Sequence, residues 1–327
     1  MSRSVITIVA VLFRVLHAEM DCSRGEGLRQ RQNVRIIADE LPLCIRESFF
    51  KGGAGLQSHS AGNTRLPGAE ILGLHMEGPF INPQYKGAQN EAYILAPDAD
   101  KILPFADVIK VLTLAPKMPG ALGCIRTLKQ KTNIALSMGH TGASFEEAMA
   151  GVEAGITRTT HLFNAMTQLV HRQPGVVGAS LSSDVYTELI ADTFHVSKGI
   201  YPFLTKTKKD RLVLITDALR SAGMPDGEYE NGGQTFVLKG IECRLKDGTI
   251  AGSVLRLNQA VRNLRDYGNI PMYEAVRAAS LSAAESADIA GHKGSLTPGK
   301  DADIVIMDQD CNIRKTFVKG LCRFHGS

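Results

Sequence analysis

The sequence predicts an α/β fold: a parallel (β/α)8 barrel of the TIM type, short of its first two strands, with a small β-sandwich subdomain at its C-terminus. Three observations predict it. Short apolar runs recur from about residue 68 with helical segments between most of them, and such alternation implies a parallel sheet. Polar residues of metal-ligand and proton-transfer type stand at or just past the C-terminal ends of four runs, as Glu77, His140, His161 and Asp217, where a barrel gathers its chemistry. Beyond Asp217 the pattern turns to short strands separated by tight turns.

In order, the strand candidates are Ile71–Met76, Val108–Leu114, Ile134–Met138, Thr157–Thr160, Glu188–Ala191 and Leu212–Thr216. Six runs leave two of a barrel's eight strands unmatched. Between them Phe145, Ala148, Met149 and Val152 fall at helical spacing behind a capping box of Ser144 and Glu147. Ala121–Lys131 and Ser197–Lys206 read as further helices. Ala222–Gly233, rich in Gly, Pro, Asp and Glu, reads as a loop. Thr235–Leu238, Glu242–Leu245 and Thr249–Ala251 read as strands turned by Lys239-Gly240 and Asp247-Gly248. Helices return around Leu257–Leu264 and over Met272–Ala287, and strands close the chain at Ile304–Met307 and near Thr316–Val318. The organisation expected is an atypical or disrupted segment (1–67), a barrel (68–290) with a β insertion at about 222–252, and C-terminal sandwich strands (291–327). In the first segment only Val34–Leu43 has a helical pattern.

At 327 residues the chain can bury a large core. A net charge of +4 with no basic block or aromatic-basic interleaving argues against nucleic acid. The six cysteines form no CxxC pair and read as reduced packing thiols, which points to a cytoplasmic protein. The apolar run Val5–Phe13 behind Arg3 has the form of a signal-peptide core, but Arg14 interrupts it and it is too short to span a bilayer. No membrane association is expected.

Glu77 leaves its strand into Gly78-Pro79, on a rim where a carboxylate can hold a cation. His75 shares its parity and reads as a residue supporting the ligands. His140 and His161 end successive strands, and neighbouring parallel strands lie about 4.8 Å apart, so both imidazoles can reach one ion. Two histidines and a carboxylate form a common catalytic zinc set with room for water. Asp217 could take a proton from that water, although alone it would pass equally well as a helix N-cap. Arg172 and His195 could bind an anion together, but without further context the pair reads as ordinary solvated side chains.

These residues lie in segments that resemble the N-acetylglucosamine-6-phosphate deacetylases of the amidohydrolase superfamily. The likeness runs over about residues 68–322 through LGLHMEGPFINPQYKGAQN (72–90), SMGHTGAS (137–144), THLFNAM (160–166), RQPGVVG (172–178), IADTFHV (190–196), LITDA (214–218), DGTIAGS (247–253) and GSLTPGKDADIVIMD (294–308). The resemblance implies metal ligands Glu77, His140 and His161, catalytic Asp217, and substrate contacts from Gln89, Asn164, Ala165, Arg172 and His195. It further implies a divalent metal (zinc first, iron or another as alternatives) and a homodimer in which the Arg and late His serve partly across subunits. The implied reaction hydrolyses N-acetylglucosamine 6-phosphate to glucosamine 6-phosphate and acetate, by a metal-activated water with Asp217 as general base. Two readings compete: an amidohydrolase acting on another amide, and an inactive truncated remnant.

The chain departs from the family in places. The small-sandwich strands and the HxH-like first barrel strand expected at the front are not recognisable, and His59 stands alone. Gln89 stands where some members place a histidine, Arg256 where a small polar residue is usual, and Thr193 where a glycine is expected.

Overall fold

In the computed structural model, which describes residues 6–8, 72–231 and 234–326, strand β1 (Ile6–Ile8) lies apart from the parallel sheet that follows. That sheet is a curled half-barrel of six strands in chain order: β2 (Leu74–Glu77), β3 (Ile109–Leu114), β4 (Ala135–Met138), β5 (Arg158–Thr159), β6 (Tyr186–Ile190) and β7 (Leu212–Ile215). Helices α1 (Ala121–Lys131), α2 (Phe145–Ala154), α3 (Gly175–Ser182) and α4 (Tyr201–Lys208) fill the successive crossovers from β3 onward. Short 3-10 turns serve instead between β2 and β3. Among the described residues β2 and β7 are the outer strands of this sheet.

The capping box of α2 forms as expected: the Ser144 hydroxyl accepts from the Glu147 amide at 3.2 Å, and the Glu147 carboxylate accepts from the Ser144 amide at 2.8 Å. Helix α3 carries no amphipathic signal because Val176, Val177, Gly178 and Ala179 are all buried. The helix expected over Ser197–Lys206 is a 3-10 turn (Lys198–Ile200) followed by α4, where Pro202 occupies the first turn.

Alternate residues of each strand divide the sheet's two faces. Met76, Leu112, Leu114, Leu136, Met138 and Leu189 are buried in the main apolar cluster with α1 residues Ile125 and Leu128. Burying such a side chain contributes about 1.5–3 kcal/mol. The other face carries polar side chains: His75, Thr113, Thr160 and Ser137 form one hydrogen-bonded set, and Arg158 donates separately to Glu188.

Past β7 an antiparallel sheet is built from β8 (Gly227–Asn231), β9 (Gln234–Lys239), β10 (Glu242–Leu245) and β11 (Ile250–Gly252). Part of the loop expected over Ala222–Gly233, Gly227–Asn231, is therefore a strand. The alternating side chains of β8 face half-buried and exposed positions, so its polar composition hides the strand. This sheet is clipped to the end of β7: the Ser253 amide donates to the Asp217 carbonyl at 2.9 Å, and the Leu219 amide donates to the Ser253 carbonyl at 2.8 Å. Gly252 makes the approach possible. It has φ +144°, and a Cβ there would stand 2.9 Å from Leu219 Cγ and 3.2 Å from the Asp217 carbonyl oxygen.

Helices α5 (Leu257–Gly268), α6 (Met272–Ala279) and α7 (Leu281–Ser286) follow. The single helix expected over Met272–Ala287 breaks at Ser280, whose backbone is non-helical and whose hydroxyl donates to the Val276 carbonyl at 2.7 Å. The chain closes with β12 (Ile304–Met307), β13 (Ile313–Val318) and β14 (Leu321–His325). Strand β1 pairs antiparallel with β12, and the sheet order is β1-β12-β13-β14. The front of the chain thus supplies one sheet strand that the apolar run alone did not reveal. Strand β14 escaped notice because all its residues are exposed.

Cys124, Cys243 and Cys311 are buried free thiols and Cys322 is an exposed one. Cys22, Cys44, His59, the helix expected over Val34–Leu43 and most of the run Val5–Phe13 lie outside the described residues. Among the described residues no helix is long and apolar enough to cross a membrane.

Candidate active site

Glu77 is the last residue of β2, and His140, His161 and Asp217 each sit two residues past the ends of β4, β5 and β7. The last three share a backbone signature: φ is 47° at His140, 29° at His161 and 49° at Asp217. A non-glycine residue in this left-handed region costs about 1–2 kcal/mol. Here that cost accompanies a sharp turn at the strand end, a placement of strain typical of functional sites. Phe163 and Ala165 in the loop after His161, and Thr193 after β6, share the same unusual region.

Three of the side chains converge. Candidate donor atoms of Glu77, His140 and His161 all lie within 4.8 Å of one another. Glu77 Oε1 contacts His140 Nε2 closely and lies 3.3 Å from His161 Nε2, and the two Nε2 atoms are 3.0 Å apart. His140 Nδ1 donates to the Tyr85 carbonyl at 2.8 Å, which fixes the ring with Nε2 toward Glu77. Gly87 packs against the same ring; a Cβ there would stand 3.4 Å from His140 Cε1. Gln89 donates its amide to Glu77 Oε1 at 3.2 Å.

The charges favour a cation at this point. Burial opposes ionisation of Glu77, but the His140 charge and hydrogen bonds from both imidazoles hold its carboxyl well below the usual range. Burial also opposes a charged His161. The hydrogen bond and charge of Glu77, with the charges of Asp217 and Glu188, outweigh this and raise it to about 9. Two imidazole nitrogens aimed at one carboxylate oxygen, in a field that retains positive charge, fit a divalent metal ion.

Asp217 and the triad line one cleft of about 440 Å³. Its barrel side includes Gln89, Asn164, Ala165 and His195; Asn231 and Thr249–Gly252 of the antiparallel sheet close it from above. Asn231, Thr249 and Tyr85 were missed as site residues, since neither type nor spacing marks them. A further tie, Gln234 Nε2 to the Ala88 carbonyl at 2.5 Å, joins the two walls. Asn164 donates to the His161 and Leu162 carbonyls at 3.2 and 3.1 Å, bracing the strained loop. The Ala165 carbonyl accepts from the Thr141 amide at 3.1 Å. His195 is fixed by Asp192, whose Oδ2 accepts from His195 Nδ1 at 2.6 Å while its Oδ1 accepts from the Phe194 and His195 amides at 2.8 Å. Arg172 is not gathered with the others. It is exposed, on the turn that bridges Val170 and Gln173, outside the cleft. Arg256 is likewise exposed, at the N-cap of α5 beside a second cavity.

Thr193 holds φ 68° although it is β-branched, which explains why a glycine is expected there. Thr193→Gly should stabilise the protein by about 1 kcal/mol, the relieved strain exceeding the added chain entropy. Chemical denaturation checks this; an unchanged or lowered midpoint would count against strain at that position.

The amidohydrolase family model matches residues 64–322. An N-acetylglucosamine-6-phosphate deacetylase of Bacillus subtilis is 40% identical over 272 residues, covering 81% of this chain and 68% of that protein. An N-acetylgalactosamine-6-phosphate deacetylase of Escherichia coli is 38% identical over 259 residues, covering 78% of this chain and 68% of that protein. Among solved structures, an aspartate-to-alanine variant of the Mycobacterium smegmatis N-acetyl-D-glucosamine-6-phosphate deacetylase, in complex with N-acetyl-D-glucosamine-6-phosphate, superposes with a TM-score of 0.81 at 26% identity. That superposition covers 98% of this chain and 87% of the other. The chain belongs to the amidohydrolase family and, within it, to the N-acetylglucosamine-6-phosphate deacetylases.

Proposed function

We propose that this chain hydrolyses N-acetylglucosamine 6-phosphate to glucosamine 6-phosphate and acetate at a divalent metal ion held by Glu77, His140 and His161. The observation that carries the reading is the convergence of those three donors within 4.8 Å, in a cleft that also contains Asp217. When bound, such an ion acidifies water and polarises a carbonyl. Asp217 accepts the proton of the water that attacks the acetyl carbonyl. It then delivers that proton to the amide nitrogen as the C–N bond breaks, so the amine leaves and acetate retains the water's oxygen. Asn164, Ala165 and the Asp192-braced His195 orient the sugar phosphate, with Gln89 steadying Glu77. Zinc suits two imidazoles and a carboxylate best, with iron as an alternative.

Arg172 serves the phosphate of a neighbouring subunit in a homodimer; its exposure outside its own cleft supports that assignment. The parallel sheet represents six strands of an eight-stranded barrel, the unmatched two belonging between β7 and β2. The sheet of β1 and β12–β14 belongs to a small sandwich, with divisions at 1–67, 68–290 and 291–327. Free buried thiols at Cys124, Cys243 and Cys311 agree with a cytoplasmic setting.

The test is acetate release by the purified chain with added zinc, from N-acetylglucosamine 6-phosphate, its galactosamine epimer and unphosphorylated N-acetylglucosamine. Fastest turnover of the first is expected, with little from the unphosphorylated sugar. Equal rates with and without phosphate would contradict the assignment of Arg172 and His195, and no acetate from any of them would contradict the reaction.

A further inference from the structure

One layer below the metal-binding side chains, the sheet carries a chain of hydrogen bonds across four strands or strand ends. His75 Nε2 lies 2.7 Å from Thr113 Oγ1, Thr113 Oγ1 lies 2.7 Å from Thr160 Oγ1, and Ser137 Oγ lies 2.6 Å from Thr160 Oγ1. Thr113 and Ser137 are 0% exposed and Thr160 1%. Barrel interiors are ordinarily filled by branched apolar side chains, so three hydroxyls in one layer stand out. We infer that Thr113, Ser137 and Thr160 form a hydroxyl ladder that sets the relative positions of the metal-binding side chains and orients His75. This inference rests on the metal site proposed above.

Each member is tied to a ligand. Thr113 is the register partner of Glu77, and its carbonyl accepts from the Gly78 amide at 3.1 Å. Thr160 directly precedes His161, and its amide donates to the Met138 carbonyl at 2.9 Å, two residues before His140. The two threonines also grip Gly139: a Cβ there would stand 2.9 Å from Thr113 Cγ2 and 3.0 Å from Thr160 Cβ. A shift of either threonine is thereby transmitted to the residue that launches His140.

Hydrogen counting gives the ladder a direction. If Ser137 donates to Thr160, Thr160 to Thr113 and Thr113 to His75 Nε2, all three hydroxyl hydrogens are used, as buried polar groups require. The reverse direction strands the Ser137 hydrogen. The ladder therefore selects the His75 tautomer that carries its proton on Nδ1. Thr160, which both accepts and donates, is the member whose loss disturbs most; Ser137 only starts the chain.

The experiment measures zinc affinity by chelator competition, and the visible spectrum of the cobalt-loaded protein, for the parent, Thr160→Val, Thr160→Ser and Ser137→Ala. Valine keeps the shape of threonine and removes the hydroxyl. Thr160→Val should weaken zinc about 10–100-fold and alter the cobalt spectrum. Thr160→Ser, which keeps the hydroxyl, should restore both. Ser137→Ala should weaken zinc measurably but less than Thr160→Val, by roughly three- to tenfold. Parent-like affinity and spectrum in Thr160→Val, or failure of serine to restore them, would overturn the inference. If the valine protein does not fold, Ser137→Ala decides: unchanged zinc affinity and spectrum would overturn it. A parent chain that takes up no metal would instead overturn the site itself.

Discussion

Asp217→Asn should lower kcat for acetate release about 10²–10⁴-fold, the range a positioned acid-base group supplies. Asparagine has nearly the same shape and tolerates the left-handed backbone at φ 49° as readily as aspartate. The clip from the Ser253 amide goes to the backbone carbonyl of Asp217, so it survives the change. What disappears is the capacity to hold a proton. Zinc content should stay near that of the parent, because the converging donors are Glu77, His140 and His161. Steady-state kinetics beside metal analysis checks both halves. A kcat within a few-fold of the parent would remove Asp217 from the chemistry, and loss of zinc would move it into the ligand set.

Glu77→Gln should reduce zinc affinity by more than 100-fold, beyond the roughly 10–100-fold seen when only an outer partner of a ligand is lost. The change removes a ligand charge and also the group most responsible for raising His161 to about 9. That elevation has a consequence in the parent. At neutral pH the metal-free site holds a proton on His161, and the metal must displace it. Zinc affinity should therefore rise about tenfold per pH unit up to about pH 9 and then level off. In the metal-free protein the sign for stability is opposite on that side. The raised His161 contributes fully below its unfolded value of 6.5, and the contribution is lost as pH rises through about 9. The depressed Glu77 contributes above its unfolded value of 4.5, and its share is lost as pH falls through the lower folded value. Metal-free parent protein should thus be most favoured over Glu77→Gln between about pH 4.5 and 6.5, which urea titrations across pH will show. A pH-independent difference would contradict this coupling.

How much could be seen in the residues beforehand differs from group to group. Glu77, His140, His161 and Asp217 stood out because each ends an apolar run, and strand ends of a parallel sheet share one rim. Their strained backbone was invisible, since nothing in a histidine or an aspartate announces a positive φ. Strand β8 was hidden by its polar alternation, and with it Asn231 as a wall of the cleft. The break at Ser280 depends on a local hydroxyl contact that helical periodicity does not encode. The hydroxyl ladder was equally hidden: Thr113, Ser137 and Thr160 are ordinary strand residues until the register of β2 to β5 brings them together. Arg172 was legible as a residue type but not as a place, because its position outside the cleft depends on a turn and, in the reading proposed, on a second subunit.

The most direct measurement is anomalous diffraction at the zinc edge from crystals of the zinc-loaded protein. A single strong peak bonded to Glu77 Oε1, His140 Nε2 and His161 Nε2, with the Asp217 carboxylate facing the same cleft, is the result expected. A peak elsewhere, or none at those three atoms in a crystal that contains zinc, would contradict it.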